Sequence, residues 1–156
     1  MSRTEIVLLH LANALVVATG VVYAVMLYLL EPAEEWAVVN HPWQPHVQHL
    51  HVLVAPALVF AVGLIWSAHV ISKLRNGRKG RMTGLGLLVG FAPMAVSGYA
   101  IQITIDEGWR AVWIVVHLVA SGVWFAAFVL HLLRVLIARR RERAKESEPA
   151  GIDLAA

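Results

Sequence analysis

Four long apolar stretches constrain the fold of this chain more than any other feature. They span residues 5–30, 47–71, 82–104 and 111–138. A helix rises about 1.5 Å per residue, so roughly 20 residues cross the hydrocarbon core of a bilayer. Within lipid, segments of this length satisfy their backbone hydrogen bonds only as helices. Because the connections are short, neighbouring helices must be antiparallel. The sequence therefore predicts an all-α fold, a four-helix transmembrane bundle.

The composition excludes several classes of protein. Only 15% of the residues are charged, whereas soluble domains are about 25% charged. The chain contains no cysteine, which excludes cysteine-ligated iron–sulfur clusters, covalently attached haem, disulfides and thiol catalysis. No phosphate-binding loop, catalytic triad or nucleic-acid motif is present in the sequence.

The distribution of basic residues predicts the orientation of the helices. One connection and the C-terminal segment carry Lys73, Arg75, Arg78, Lys79, Arg81, Arg139, Arg140, Arg141, Arg143 and Lys145. The other two connections carry Arg110 as their one basic residue. Positive charge favours the cytoplasmic side, which predicts cytoplasmic termini and a multi-pass protein of the bacterial inner (cytoplasmic) membrane. Residues 1–138 are expected to form the membrane domain, its first helix kept as a signal anchor, and residues 139–156 a charged cytoplasmic tail.

Histidines on the fourth predicted helix lie on one narrow stripe. His117 and His131 are separated by close to four helical turns, so they share a side at an axial distance of about 21 Å. Ser121, Trp124 and Phe128 continue the stripe. A stripe of this width predicts a face turned toward another helix. Ionisable residues within membrane spans are candidates for a functional site.

Residue counts place two histidines at the inner level of the membrane. Arg110 marks the outer end of the fourth helix, and Glu31 marks the outer end of the first. The interval from Arg110 to His131 is equal in length to the interval from His10 to Glu31. Because these helices run in opposite directions, the two histidines are expected at the same depth.

The same count predicts a second pair at the outer level. Arg139 and Lys73 mark the inner ends of the fourth and second helices, and His117 is as far from Arg139 as His51 is from Lys73. Two histidine pairs at two depths suit bis-histidine ligation of two b-type haems, in which neutral imidazoles occupy both axial positions of each iron. The four candidate ligands of haem iron are therefore His10, His51, His117 and His131.

Two further histidines leave alternatives open. His49 lies two residues from His51, so it faces another side of the helix and is the alternative outer ligand. His69 follows His51 by five full helical turns, which predicts the same face. Because it is only four residues from Lys73, it is too close to the membrane boundary for an axial ligand. We interpret His69 as an interfacial histidine near a quinone.

This constellation resembles the cytochrome b561-like superfamily. The shared pattern is a histidine on helix one, another early in helix two, and two about fourteen residues apart on helix four. The segment Pro93–Tyr99 is similar to the small-residue region that the family carries on helix three. The superfamily includes the membrane cytochrome b subunits of formate dehydrogenases and nickel–iron hydrogenases. The resemblance covers about residues 5–138, and the chain departs from it in its short length and its histidine-rich segment 41–51.

The resemblance implies a function and a pairing of the ligands. Helices one and four would bind the inner haem, and helices two and four the outer haem, which agrees with the residue counts. Electrons would cross the membrane between the quinone pool and a periplasmic or peripheral redox partner. Small size and short loops favour an electron-transfer subunit of a membrane oxidoreductase, or a homodimer, over a standalone enzyme.

Polar residues near the predicted haems complete the candidate cofactor-binding set. Arg134 is expected near the inner haem, where it pairs a propionate or extends toward the membrane surface. At the outer haem, Arg110 is likewise expected either to pair with a propionate or to extend toward the membrane surface. Asn13 and His69 are the polar groups expected to bind quinone near the inner haem, because a quinone needs an apolar slot with a few hydrogen-bonding groups.

Two other functions remain open at this level. A metal or proton transporter would collect a cation on outer histidines, since imidazole binds copper and zinc. Those histidines are His41, His46, His49 and His51. The predicted spans lack buried Asp and Glu residues that could pair with a moving cation. A structural membrane anchor is the remaining alternative, and it leaves the matched histidine depths unexplained.

Overall fold

The structure is a computed structural model that describes residues 2–76 and 81–146. Its elements are α1 (Arg3–Tyr28), α2 (Gln44–Ile65), a π-helical turn (Trp66–Ile71), α3 (Ser72–Asn76), α4 (Arg81–Ile103) and α5 (Glu107–Glu146). Helices α1, α2, α4 and α5 are each long and apolar enough to cross a membrane. Within the described ranges no strand is present. The predicted all-α architecture is confirmed, with four helices that are long and apolar enough to span a membrane.

Two boundaries differ from the sequence expectation. The second apolar stretch does not continue as one α-helix to Ile71, because its last six residues form the π-helical turn. Helix α5 extends through the first eight residues of the predicted tail and ends at Glu146. Arginine, glutamate, alanine and lysine are good helix formers, so this helix continues where its apolar stretch ends. Two basic residues of the connection before α4, Arg78 and Lys79, lie outside the described residues. So do residues 147–156 of the predicted tail.

Side-chain caps define where two of the spanning helices begin. Ser2 and Glu5 form a capping box at α1, in which each side chain bonds the backbone N–H of the other residue. Asp106 accepts from the backbone N–H of Trp109 at 2.8 Å at the start of α5. Such a cap contributes about 1 kcal/mol to helix stability. The connection between α4 and α5 is residues 104–106, which forces the two helices into a tight hairpin.

The described residues form two compact units, one up to Arg75 and the other from Asn76 onward. In the first unit α1 packs on α2, and in the second α4 packs on α5. A Cβ added at Gly90 of α4 would lie 3.3 Å from the backbone nitrogen of Trp124 in α5. Glycine at this position therefore allows close helix packing, as small residues do in membrane bundles.

The surfaces of the spanning helices are strongly apolar. Large exposed side chains include Val7, Leu53, Val89 and Val119, each at least 62% exposed. Soluble proteins rarely expose so much contiguous apolar surface. These helices are compatible with direct contact with membrane lipid.

Candidate functional site

His51 in α2 forms a hydrogen bond to α1 within the first hairpin. Its Nδ1 lies 3.0 Å from the hydroxyl oxygen of Thr19. The same hydroxyl donates to the carbonyl of Leu15 at 2.7 Å, so we assign Nδ1 of His51 as the donor and the hydroxyl oxygen as its acceptor. The neutral ring then carries its lone pair on Nε2, the nitrogen that a metal would bind.

Gly20, the residue after Thr19, lies directly against the same imidazole. A Cβ at this position would be 2.9 Å from Cε1 of His51 and 3.4 Å from its Nδ1. Real Cβ atoms essentially never approach so closely, so a larger residue would displace the ring. We call the pair Thr19–Gly20 the α1 cradle: its hydroxyl orients the imidazole and its glycine leaves room for it.

His117 in α5 has an equivalent environment in the second hairpin. Its Nδ1 lies 3.0 Å from the carbonyl oxygen of Met94 and 3.3 Å from the hydroxyl of Ser97. Because a carbonyl can only accept, Nδ1 of His117 carries the proton and the lone pair of the neutral ring is on Nε2. Ser97 is fully buried and donates to the carbonyl of Pro93 at 2.5 Å. The hydroxyl oxygen of Ser97 is therefore a second acceptor for the ring.

Gly98 repeats the role of the glycine in the first hairpin. A Cβ at Gly98 would lie 3.1 Å from Cε1 and 3.3 Å from Nδ1 of His117. We call Ser97–Gly98 the α4 cradle. Each hairpin thus carries a hydroxyl residue followed by glycine on its first helix and a histidine against them on its second. In the sequence, Ser97 and Gly98 stand out only as small residues, and Thr19–Gly20 was missed entirely.

The inner candidates have different surroundings. His10 is exposed, and its Nδ1 lies 2.8 Å from the carbonyl of Ile6 one turn earlier in α1. This contact also makes Nδ1 the donor and leaves the lone pair on Nε2. His131 is half-buried on α5, and Asn13 is buried on α1. The two arginines of the candidate set, Arg110 and Arg134, are exposed.

The other histidines that the sequence predicts on the outer side have contacts different from those of His51. His49 is exposed at the start of α2, whereas His51 is half-buried against α1. His41 accepts at Nδ1 from the backbone N–H of Trp43 at 3.1 Å, whereas Nδ1 is the donor in His10, His51 and His117. The ring of His46 meets the ring of Trp43 edge-on, with centroids 5.8 Å apart.

His69 lies in the π-helical turn, which corrects one sequence expectation. The five-turn spacing from His51 predicted a shared face only if the whole interval were α-helical. A π-helical turn contains more residues than an α-helical turn, since its hydrogen bonds close over five residues. His69, which is half-buried, is therefore rotated out of that register.

An apolar groove of about 380 Å³ runs along the second hairpin near His117. It is lined by Val89, Gly90, Pro93, Val115, Val116, Val119, Ala120 and Val123. Among the described residues, no group of three or more His, Asp or Glu side chains is arranged to hold a metal ion. The pairing of His51 with His117, and of His10 with His131, stays a prediction.

Comparisons with protein-family models, with curated proteins and with solved structures found no match to this chain. A function for the chain is therefore argued from its residues and their geometry.

Proposed function

We propose that this chain is a membrane-bound diheme b-type cytochrome that transfers electrons across a bacterial inner membrane. The supporting observation is the hydrogen bonding of three span histidines, His10, His51 and His117, which all donate through Nδ1. An axial ligand must be a neutral imidazole that presents a lone pair, and a bond from its other nitrogen fixes its tautomer and orientation. The donor set therefore fits haem.

Both cradles lie toward the connecting end of their hairpin. Thr19 is nine residues from the end of α1, and Ser97 is six residues from the end of α4. If each helix crosses the membrane once, both connections face the same side. This supports His51 and His117 as the axial pair of an outer haem, and the residue counts support His10 and His131 as the pair of an inner haem.

Each bound haem would supply reversible one-electron transfer at its iron. The chain binds and orients these groups through its histidines, and its apolar side chains exclude water around them. Arg110 lies seven residues before His117, and Arg134 lies three residues after His131. Both side chains are exposed, and they are proposed to pair with haem propionates. Such pairs would be charge-assisted hydrogen bonds.

The two membrane faces are proposed to meet different partners. With both termini cytoplasmic, the connection between α1 and α2 faces outward, and it exposes Glu31, Glu34 and Glu35. An acidic surface of this kind suits a periplasmic or peripheral redox protein with a basic face, because complementary charge steers association. The assembly is proposed to be a homodimer or part of a larger oxidoreductase.

Quinone is proposed to bind at the opposite, inner end of the first hairpin. His69 lies there in the π-helical turn after α2, and turns of this kind occur frequently at functional sites. Asn13 is one turn from His10 on α1 and provides a second polar group in an apolar helix. Because Thr19 lies level with His51 in this antiparallel hairpin, Asn13 and His69 lie at different depths. Each is proposed as a separate polar contact for quinone, which needs an apolar slot with a few hydrogen-bonding groups.

Reduction by a quinol tests this site directly. We expect His69→Ala and Asn13→Leu each to keep both haems but to slow quinol-driven haem reduction about tenfold, the effect of losing one hydrogen bond worth roughly 1.4 kcal/mol. Stopped-flow absorbance of the haem bands measures the rate, and complete reduction by dithionite checks that the haems are intact. The controls are His46→Ala and His49→Ala at the outer end. Parental rates in the inner variants and slow rates in these controls would place quinone outside.

A further inference from the structure

We infer that Thr19 and Ser97 are positioning residues that set the orientation and basicity of the outer haem ligands, Thr19 more strongly than Ser97. This inference rests on the proposed function, because it concerns His51 and His117 as axial ligands. The cradles occur on the first helix of both hairpins, and in both the hydroxyl oxygen faces Nδ1 of a histidine on the second helix.

The hydroxyl of Thr19 is fixed by its own hydrogen bond. It donates to the Leu15 carbonyl at 2.7 Å, so its lone pairs are directed at the imidazole of His51. Hydrogen bonds in such a chain polarise one another, which strengthens the contact with the ring. An acceptor on Nδ1–H makes Nε2 a more basic ligand. A more basic axial ligand favours oxidised iron, and the midpoint potential is therefore lower.

The two cradles contribute unequally. Thr19 lies 3.0 Å from Nδ1 of His51. Ser97 lies 3.3 Å from Nδ1 of His117, farther than the Met94 carbonyl at 3.0 Å. The Met94 carbonyl, a backbone group, stays in place when the Ser97 hydroxyl is removed. Loss of the Thr19 hydroxyl should therefore change the outer haem more than loss of the Ser97 hydroxyl.

Redox titration of the purified, haem-loaded protein tests the inference. Thr19→Val keeps the shape of the side chain and removes the hydroxyl. It should raise the midpoint potential of one haem and change the electron paramagnetic resonance spectrum of that haem, which responds to imidazole orientation. Thr19→Ser should restore both properties, and Ser97→Ala should give a smaller rise. Thr104→Val is the matched control, since Thr104 makes the same bond to the carbonyl four residues earlier, at 2.7 Å, near the end of α4; it should change neither haem.

Each outcome separates the inference from the proposed function. A parent protein without haem refutes the proposed function. A parent with two haems and a Thr19→Val variant identical to it in potential and spectrum overturns the inference. If Thr19→Val loses a haem, recovery of that haem in Thr19→Ser supports the hydroxyl role. Loss of the haem in both Thr19→Val and Thr19→Ser overturns the inference. An equal shift of the midpoint potential in the Thr104→Val control also overturns it.

Discussion

Replacing His117 by alanine is expected to remove one of two haems and to leave the other in place. His117 would supply an axial ligand to the outer haem only, and its ring packs against Ser97 and Gly98 within its own hairpin. His131→Ala should remove the other haem, because the two histidines are about 21 Å apart along α5. Haem quantitation per chain and a redox titration of each variant measure the result.

The control for this pair is His46→Ala, which alters an exposed histidine and should keep both haems. Equal loss of both haems in both single variants, with helical content unchanged, would contradict two separate ligand pairs. Loss of a haem in His49→Ala, with full retention in His51→Ala, would transfer the outer ligand role to His49.

Gly20→Ala is expected to weaken outer-haem binding while the helices stay folded. The new Cβ would lie 2.9 Å from Cε1 of His51, so the ring must move and its bond to Thr19 is lost. Changes to groups that orient a metal ligand typically cost about 10–100-fold in affinity. Haem titration of the variant should show this loss at one site, with the inner haem unchanged.

Two glycines provide controls for the steric argument. A Cβ at Gly63 in α2 meets nothing within 4 Å, so Gly63→Ala should bind both haems like the parent. Gly98→Ala should give a milder defect than Gly20→Ala, because its Cβ would lie 3.1 Å from the His117 ring. Parental haem affinity in Gly20→Ala would show that the α1 cradle does not constrain His51.

The spanning helices could be predicted from the sequence because each depends on a local property. Length and hydropathy of an apolar stretch define a membrane helix without reference to its neighbours. The predicted starts and ends of α1 and α4 lie within two residues of those in the structure. The extension of α5 to Glu146 was missed because the apolar stretch ends before the helix does.

The details of the candidate site depend on packing and could not be predicted in the same way. In the sequence, Thr19 and Gly20 are ordinary residues of an apolar helix. Their role arises from the packing of α2 on α1, which places His51 against them. The π-helical turn around His69 leaves no mark on the apolar pattern, since residues 66–71 continue the same predominantly hydrophobic stretch. A hydroxyl residue followed by glycine on the first helix of each hairpin, opposite a histidine on the second, is the signal in the sequence. It becomes visible only when the two helices of a hairpin are aligned with each other.

Haem content of the purified protein tests the central claim most directly. The intact chain would be isolated from membranes in mild detergent, and its reduced-minus-oxidised spectrum recorded together with the amount of haem per chain. We predict b-type absorption bands and two haems per chain, both reducible. A colourless protein, whether it retains zinc or no metal at all, would contradict the diheme cytochrome and favour a transporter or a structural anchor.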